Sequence, residues 1–115
     1  MIVEAKNMES EVRPQMRGGA GECLVTFLAG RQLQKHVKLF SKVDVPVGAN
    51  IGSHPHSEET EYYYILEGSG LIDDNGVPSN VKPGDVVVTT GGATHSVENT
   101  GSVPLKMIAV IVTDA

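Results

Sequence analysis

The chain has 115 residues, 40% hydrophobic but only 4% aromatic, with 13 Gly, 6 Pro, one Cys and a net charge of −5. That length allows one domain, and with Val, Ile and Thr making up a quarter of the residues it excludes a disordered tail, a collagen-like fibre and a long helical bundle. The nine basic residues are scattered, so nucleic acid is not an expected partner, and no stretch approaches the ~20 apolar residues of a membrane span.

Residues 1–21 are polar and end in Arg17-Gly18-Gly19-Ala20-Gly21. The apolar periodicity of Glu4 to Val12 is poor for a helix and Pro14 would end one, so we read an N-terminal arm with at most a short strand at Ile2–Val3. Residues 22–115 are read as a single barrel domain. Its expected strands are Glu22–Leu28, Gln34–Val43, Ile51–His56, Glu61–Leu66, Gly70–Asp73, Val86–Thr90, His95–Asn99 and Leu105–Val112. Turn residues separate them, and Asn75-Gly76 is a strong hairpin signal because tight hairpin turns need residues that accept positive φ. Short strands without interleaved helices predict an all-β fold, a closed antiparallel barrel or jelly roll.

Three of the four histidines fall in two glycine-bounded patches. Residues two apart on a strand share a face, so His54 and His56 project together. Ser57 to Thr60 reads as a turn that brings Glu61 back beside them, with Tyr63 and Ile65 on the Glu61 face. His95 follows the Gly91-Gly92 turn. Facing each other across a barrel, the two patches would let His54, His56, Glu61 and His95 converge, a donor set suited to a divalent transition metal. Taken singly, each has a plainer reading. His-x-His is commonly a surface pair, Glu61 one of a solvated trio with Glu58 and Glu59, and His95 a hydrogen-bonded loop residue. His36, among Lys35 and Lys38, reads as surface.

The joint spacing resembles the cupin superfamily. Gly48, His54, His56, Glu61 and Gly68 meet every fixed position of the first cupin motif. Gly84, Gly92, His95 and Asn99 match the second, although Thr90 stands where the family usually has Pro. The motifs enclose 15 intervening residues, Ser69 to Pro83, typical of small single-domain cupins. The N-terminal arm is loosely similar to that of oxalate-binding or oxalate-decarboxylase-like members. The resemblance implies a double-stranded β-helix (jelly-roll) barrel with His54, His56, Glu61 and His95 as ligands of one divalent metal per chain. Iron, manganese or nickel suit that set best, with zinc or copper as further occupants. Loss of the Pro at Thr90 predicts a freer turn before Gly91-Gly92.

The function expected is a metalloenzyme acting on a small carboxylate or keto-acid-like metabolite, by decarboxylation, oxygenation, isomerisation or lyase chemistry. The alternative is a non-catalytic binding or sensor protein for such a ligand. Tyr63 is a candidate proton donor or a packed core residue, Arg17 a candidate carboxylate clamp or part of a flexible surface arm, and Asn50, which shares the parity of His54, either lines the cavity or serves the turn. Tyr62, Tyr64, Leu66 and Val86 to Val88 put apolar groups on both faces of their strands, which predicts a homodimer. The lone Cys23 and the absence of an apolar run behind a basic N-terminus point to the cytoplasm.

Overall fold

Alternation of apolar and polar side chains builds ten strands in the computed structural model, which describes every residue except Arg31 and Ala115. In chain order they are β1 (Ser10–Pro14), β2 (Glu22–Phe27), β3 (Val37–Val45), β4 (Asn50–Pro55), β5 (Glu59–Glu67), β6 (Gly70–Asp74), β7 (Val77–Val81), β8 (Val86–Thr89), β9 (Thr94–Asn99) and β10 (Leu105–Thr113). Among the described residues the helical structure is limited to 3-10 turns at Ala5–Asn7 and Met16–Gly18. A six-stranded sheet runs β1-β2-β3-β10-β5-β8 and a four-stranded sheet runs β4-β9-β6-β7. Every pairing is antiparallel, as expected for a double-stranded β-helix.

The inner faces of the two sheets share one core, in which Ile51, Ile65, Ile72, Leu105 and Met107 are fully buried. Burial of each such side chain contributes about 1.5–3 kcal/mol. β5 shows the pattern plainly: Glu59, Glu61, Tyr63 and Ile65 point inward, whereas Tyr62, Tyr64 and Leu66 face out. Asn99 closes the end of β9. Its Nδ2 donates to the carbonyls of Val45 and Val103 at 2.9 Å each, and its Oδ1 accepts from Gly101 N at 2.9 Å.

Four expectations are corrected. Ile2–Val3 forms no strand; the strand of the N-terminal segment is β1, which pairs with β2 from Ser10↔Thr26 to Pro14↔Glu22. β3 starts at Val37 rather than Gln34, because Gln34 closes a turn, accepting His36 N on its Oε1 at 2.7 Å and Val37 N on its carbonyl at 2.9 Å. β7 is an additional strand. Pro78 lies within it, and the outer position of β7 in the sheet order leaves a missing N–H without consequence for a second neighbour. The fourth concerns the parity of Asn50, which decides between the cavity and turn duty. The pairing of β4 with β9 shifts register between Ile51 and His54. That bulge reverses the parity, so Ile51 rather than Asn50 shares the inward direction of His54. Asn50 instead fastens the preceding loop to β4, accepting Ala20 N on its Oδ1 while its own N–H donates to Ala20 O at 3.0 Å. The fit is close: a Cβ on Gly52 would collide with the carbonyl oxygen of Arg17.

The hairpin signal at Asn75-Gly76 is met by φ of 48° and 91° at these two residues, between Asp74 and Val77 of the β6–β7 pair.

Candidate metal centre

The chemistry-bearing side chains come from both sheets. His54 on β4 lies directly opposite His95 on β9, and Glu61 on β5 lies opposite Thr89 on β8. His56 follows β4, where its N–H donates to Ala93 O at 3.0 Å and its carbonyl accepts Gly92 N at 3.1 Å. These bonds fasten the glycine turn, and Thr90 is further held by a 2.6 Å hydroxyl contact with Thr60. The turn expected to be freer for want of the Pro is thus bonded to the adjoining strands.

His54, His56, Glu61 and His95 are all buried, and one donor atom from each lies within 4.8 Å of the others. The three imidazole rings meet edge to face with centroids 4.5–4.8 Å apart. Each ring uses Nδ1 outward. His54 Nδ1 donates to Gly52 O at 2.7 Å, His56 Nδ1 to Glu59 Oε1 at 2.8 Å, and His95 Nδ1 bonds the Thr89 hydroxyl at 2.8 Å. A carbonyl and a carboxylate only accept, so neutral His54 and His56 keep their protons on Nδ1 and turn bare Nε2 lone pairs inward.

What lies at the centre is a surplus of acceptors. His95 Nε2 is 3.0 Å from both His54 Nε2 and His56 Nε2 and 2.9 Å from Glu61 Oε1. Glu61 Oε1 is also 2.9 Å from His56 Nε2, yet it is a buried oxygen with no hydrogen-bond partner. One proton on His95 Nε2 can satisfy only one of these neighbours. Burial alone would raise the Glu61 carboxyl, but the surrounding imidazoles hold it down at about 2; burial lowers His95. An ionised carboxylate beside neutral imidazoles is a donor set for a cation. The separations fit one as well. Four separations are 2.9–3.0 Å and His54 Nε2 to Glu61 Oε1 is 4.0 Å, so all four atoms could reach one ion.

The cluster opens on a cavity of about 520 Å³ whose wall includes Tyr63, Leu39, Ile111 and the Pro14–Arg17 segment. Tyr63 is buried, its ring stacked on His95 at 4.9 Å and its hydroxyl 3.3 Å from His95 Nε2. Burial and then the Glu61 charge push the phenol well above its ordinary value. Arg17 lines the mouth; Asn50 does not line this cavity.

Two supporting residues escape the sequence reading. Glu59 is not part of a solvated turn but buried on β5, where its carboxylate bridges His56 and Lys38 Nζ at 3.0 Å. Burial would raise it, and those two partners hold it down. Its signal was parity, since Glu59, Glu61 and Tyr63 alternate on one strand. Thr89 has the same signal one residue pair away, opposite Glu61.

A family model for the cupin domain matches residues 41–111. An oxalate-binding protein from Thermotoga maritima is 39% identical over 113 residues, which is 97% of this chain and 93% of the relative. The crystal structure of a predicted oxalate decarboxylase from Thermotoga maritima matches with a TM-score of 0.90 at 39% identity, over 98% of this chain and 99% of that one. A polyketide cyclase from Streptomyces resistomycificus is 18% identical with a TM-score of 0.78, over 100% of this chain and 80% of that one, and shares the fold.

Replacing Glu59 tests the outer support of the cluster. Glu59→Ala is expected to weaken divalent-metal affinity by about 10–100-fold in a chelator competition, whereas Glu59→Gln, which keeps an acceptor for His56 Nδ1, retains most of it. Wild-type affinity in Glu59→Ala would contradict that role.

Proposed function

This chain belongs to the cupin family, and on that premise we propose that it is a metal-dependent protein acting on a small carboxylate or keto-acid-like metabolite. The observation that carries the reading is the surplus of buried acceptors at the floor of an open cavity. His54, His56 and His95 through Nε2 and Glu61 through Oε1 would hold one divalent metal. Three imidazole nitrogens and one carboxylate suit iron, manganese or nickel, with zinc or copper as further occupants. When bound, the metal supplies Lewis-acid polarisation of ligand oxygens. The chain's own residues do the rest. Gly52 O, Glu59 and Thr89 fix the three rings, while Leu39 and Ile111 give the cavity an apolar side that limits water. Tyr63 keeps its proton at ordinary pH and is placed to donate it, or a hydrogen bond, to an oxyanion in the cavity.

A second reading is a non-catalytic binding or sensor protein, and the relative described as oxalate-binding favours it. Product analysis separates the two: a metal-loaded protein that binds small carboxylates and converts none is the binder. A cytoplasmic setting suits the single buried thiol of Cys23, which has no disulfide partner. No helix among the described residues is long and apolar enough to cross a membrane.

The metal reading predicts close to one divalent metal per chain by elemental analysis, its loss in the His54→Ala/His56→Ala double variant, and a rise in thermal midpoint of the loaded wild type with small carboxylates. Equal metal retention by the double variant would refute it.

The outer face of the six-stranded sheet supports a homodimer. Phe40, Val110, Tyr62 and Val88 form one cross-strand row, and Ile108, Tyr64 and Val86 form the next. Tyr62, Tyr64, Val86 and Val88 are each 42–56% exposed, an apolar patch that a second copy would cover. Sedimentation is expected to give twice the 12.2 kDa chain mass, with Tyr64→Glu shifting the population to monomer. A single 12.2 kDa species for the wild type at micromolar concentration would contradict this.

A further inference from the structure

The cavity has one wall that the metal reading leaves without a task. It is the loop of residues 15–21, and the charge it carries is Arg17. Of the other charged groups around the cavity, Glu11 and Arg13 are paired with each other at 3.1 Å, and Glu61 belongs to the donor cluster. The Arg17 side chain makes no ion pair or hydrogen bond with the described residues. The backbone of the residue is nevertheless held in place.

Gln15 and Arg17 both adopt left-handed conformations, with φ of 49° and 54°, which side chains other than glycine seldom do. The loop is closed by Gln15 N donating to Gly21 O at 2.9 Å and fastened to β4 through Ala20 and Asn50. The Arg17 carbonyl sits against Gly52, at a spot where any Cβ would collide. Gly52 O in turn accepts the Nδ1 proton of His54. The Arg17 backbone is thus seated on the same residue that orients one imidazole of the cluster.

A divalent cation held by Glu61 leaves one positive charge at the floor, and Arg17 adds a second at the mouth. Neutralising both takes a dianion. A guanidinium fork matches the two oxygens of a carboxylate, and an arginine with no internal partner loses none on binding one. We propose that Arg17 is a specificity-determining residue whose guanidinium pairs with the outward oxygens of a small dicarboxylate seated over the donor cluster. It thereby selects dianions over monoanions that chelate equally well. The inference rests on the carboxylate reading of the site and adds the charge class of the ligand and the residue that reads it.

Calorimetric titration of the metal-loaded protein with oxalate and with glycolate tests it, since glycolate also presents two chelating oxygens but carries one charge. Wild type is expected to prefer oxalate. Arg17→Gln should weaken oxalate binding by about 10–100-fold, the cost of losing charge-assisted hydrogen bonds, and change glycolate binding by less than about threefold at unchanged metal content. Arg17→Lys, which keeps the charge without the fork, should recover part of the loss, and Arg13→Gln should leave the preference intact. Undiminished oxalate affinity in Arg17→Gln, an equal loss for both anions, or loss of bound metal would overturn the assignment. If the loaded wild type binds neither anion, the carboxylate reading fails first and this inference falls with it.

Discussion

The arrangement that the rest of the structure serves is the inward convergence of unprotonated donors. Two imidazoles are obliged by their outer partners, a backbone carbonyl and a carboxylate, to carry the proton on Nδ1. Their Nε2 atoms are each left facing a third imidazole at 3.0 Å, and that of His56 also faces an ionised carboxylate at 2.9 Å. Such a cluster is electrostatically unfavourable as it stands, because lone pairs meet without enough protons between them. Ten strands hold it together: the cross-strand pair His54↔His95 fixes two donors in one sheet, and the pair Glu61↔Thr89 fixes the third donor and the support of His95 in the other. A cation would turn these contacts into attractive ones.

One irregularity connects this centre to its surroundings. The bulge between Ile51 and His54 lets the chain keep an apolar residue inward at Ile51 and still deliver His54 to the cluster. It also brings the Gly52 carbonyl within 2.7 Å of the His54 ring and gives Arg17 a glycine to rest against. A strand without the bulge would point Asn50 and His54 the same way and leave the 15–21 loop without its footing. Local departure from regular pairing is common next to functional sites for this reason: it re-aims a side chain at small expense to the ladder.

Much of this was legible in the sequence, and the failures are informative. The four donors and Tyr63 could be read because strand parity places them on one face and because glycines bracket both patches. The apolar outer face of β5 and β8 followed from the same alternation. Glu59 was hidden by its neighbours, since an acidic run after His-Pro-His looks like a solvated turn until Lys38 and His56 are seen on either side of its carboxylate. Whether Asn50 lines the cavity or serves the turn could not be read, because a bulge leaves no mark in a count of residues. β1 carries little apolar alternation, and its place comes from pairing with β2 at the end of the sheet. β7 was obscured by Pro78, which reads as a breaker unless the strand is known to lie at an edge.

The fold itself is shared with proteins of differing chemistry, so what this chain does must come from the cavity above the cluster. The most direct test of the account is anomalous diffraction from crystals of the manganese-loaded protein. The account predicts one peak per chain at bonding distance, about 2.1 Å, from Nε2 of His54, His56 and His95 and from Glu61 Oε1. A peak bound through an Nδ1 atom, or metal-saturated crystals with no peak between these four residues, would contradict it.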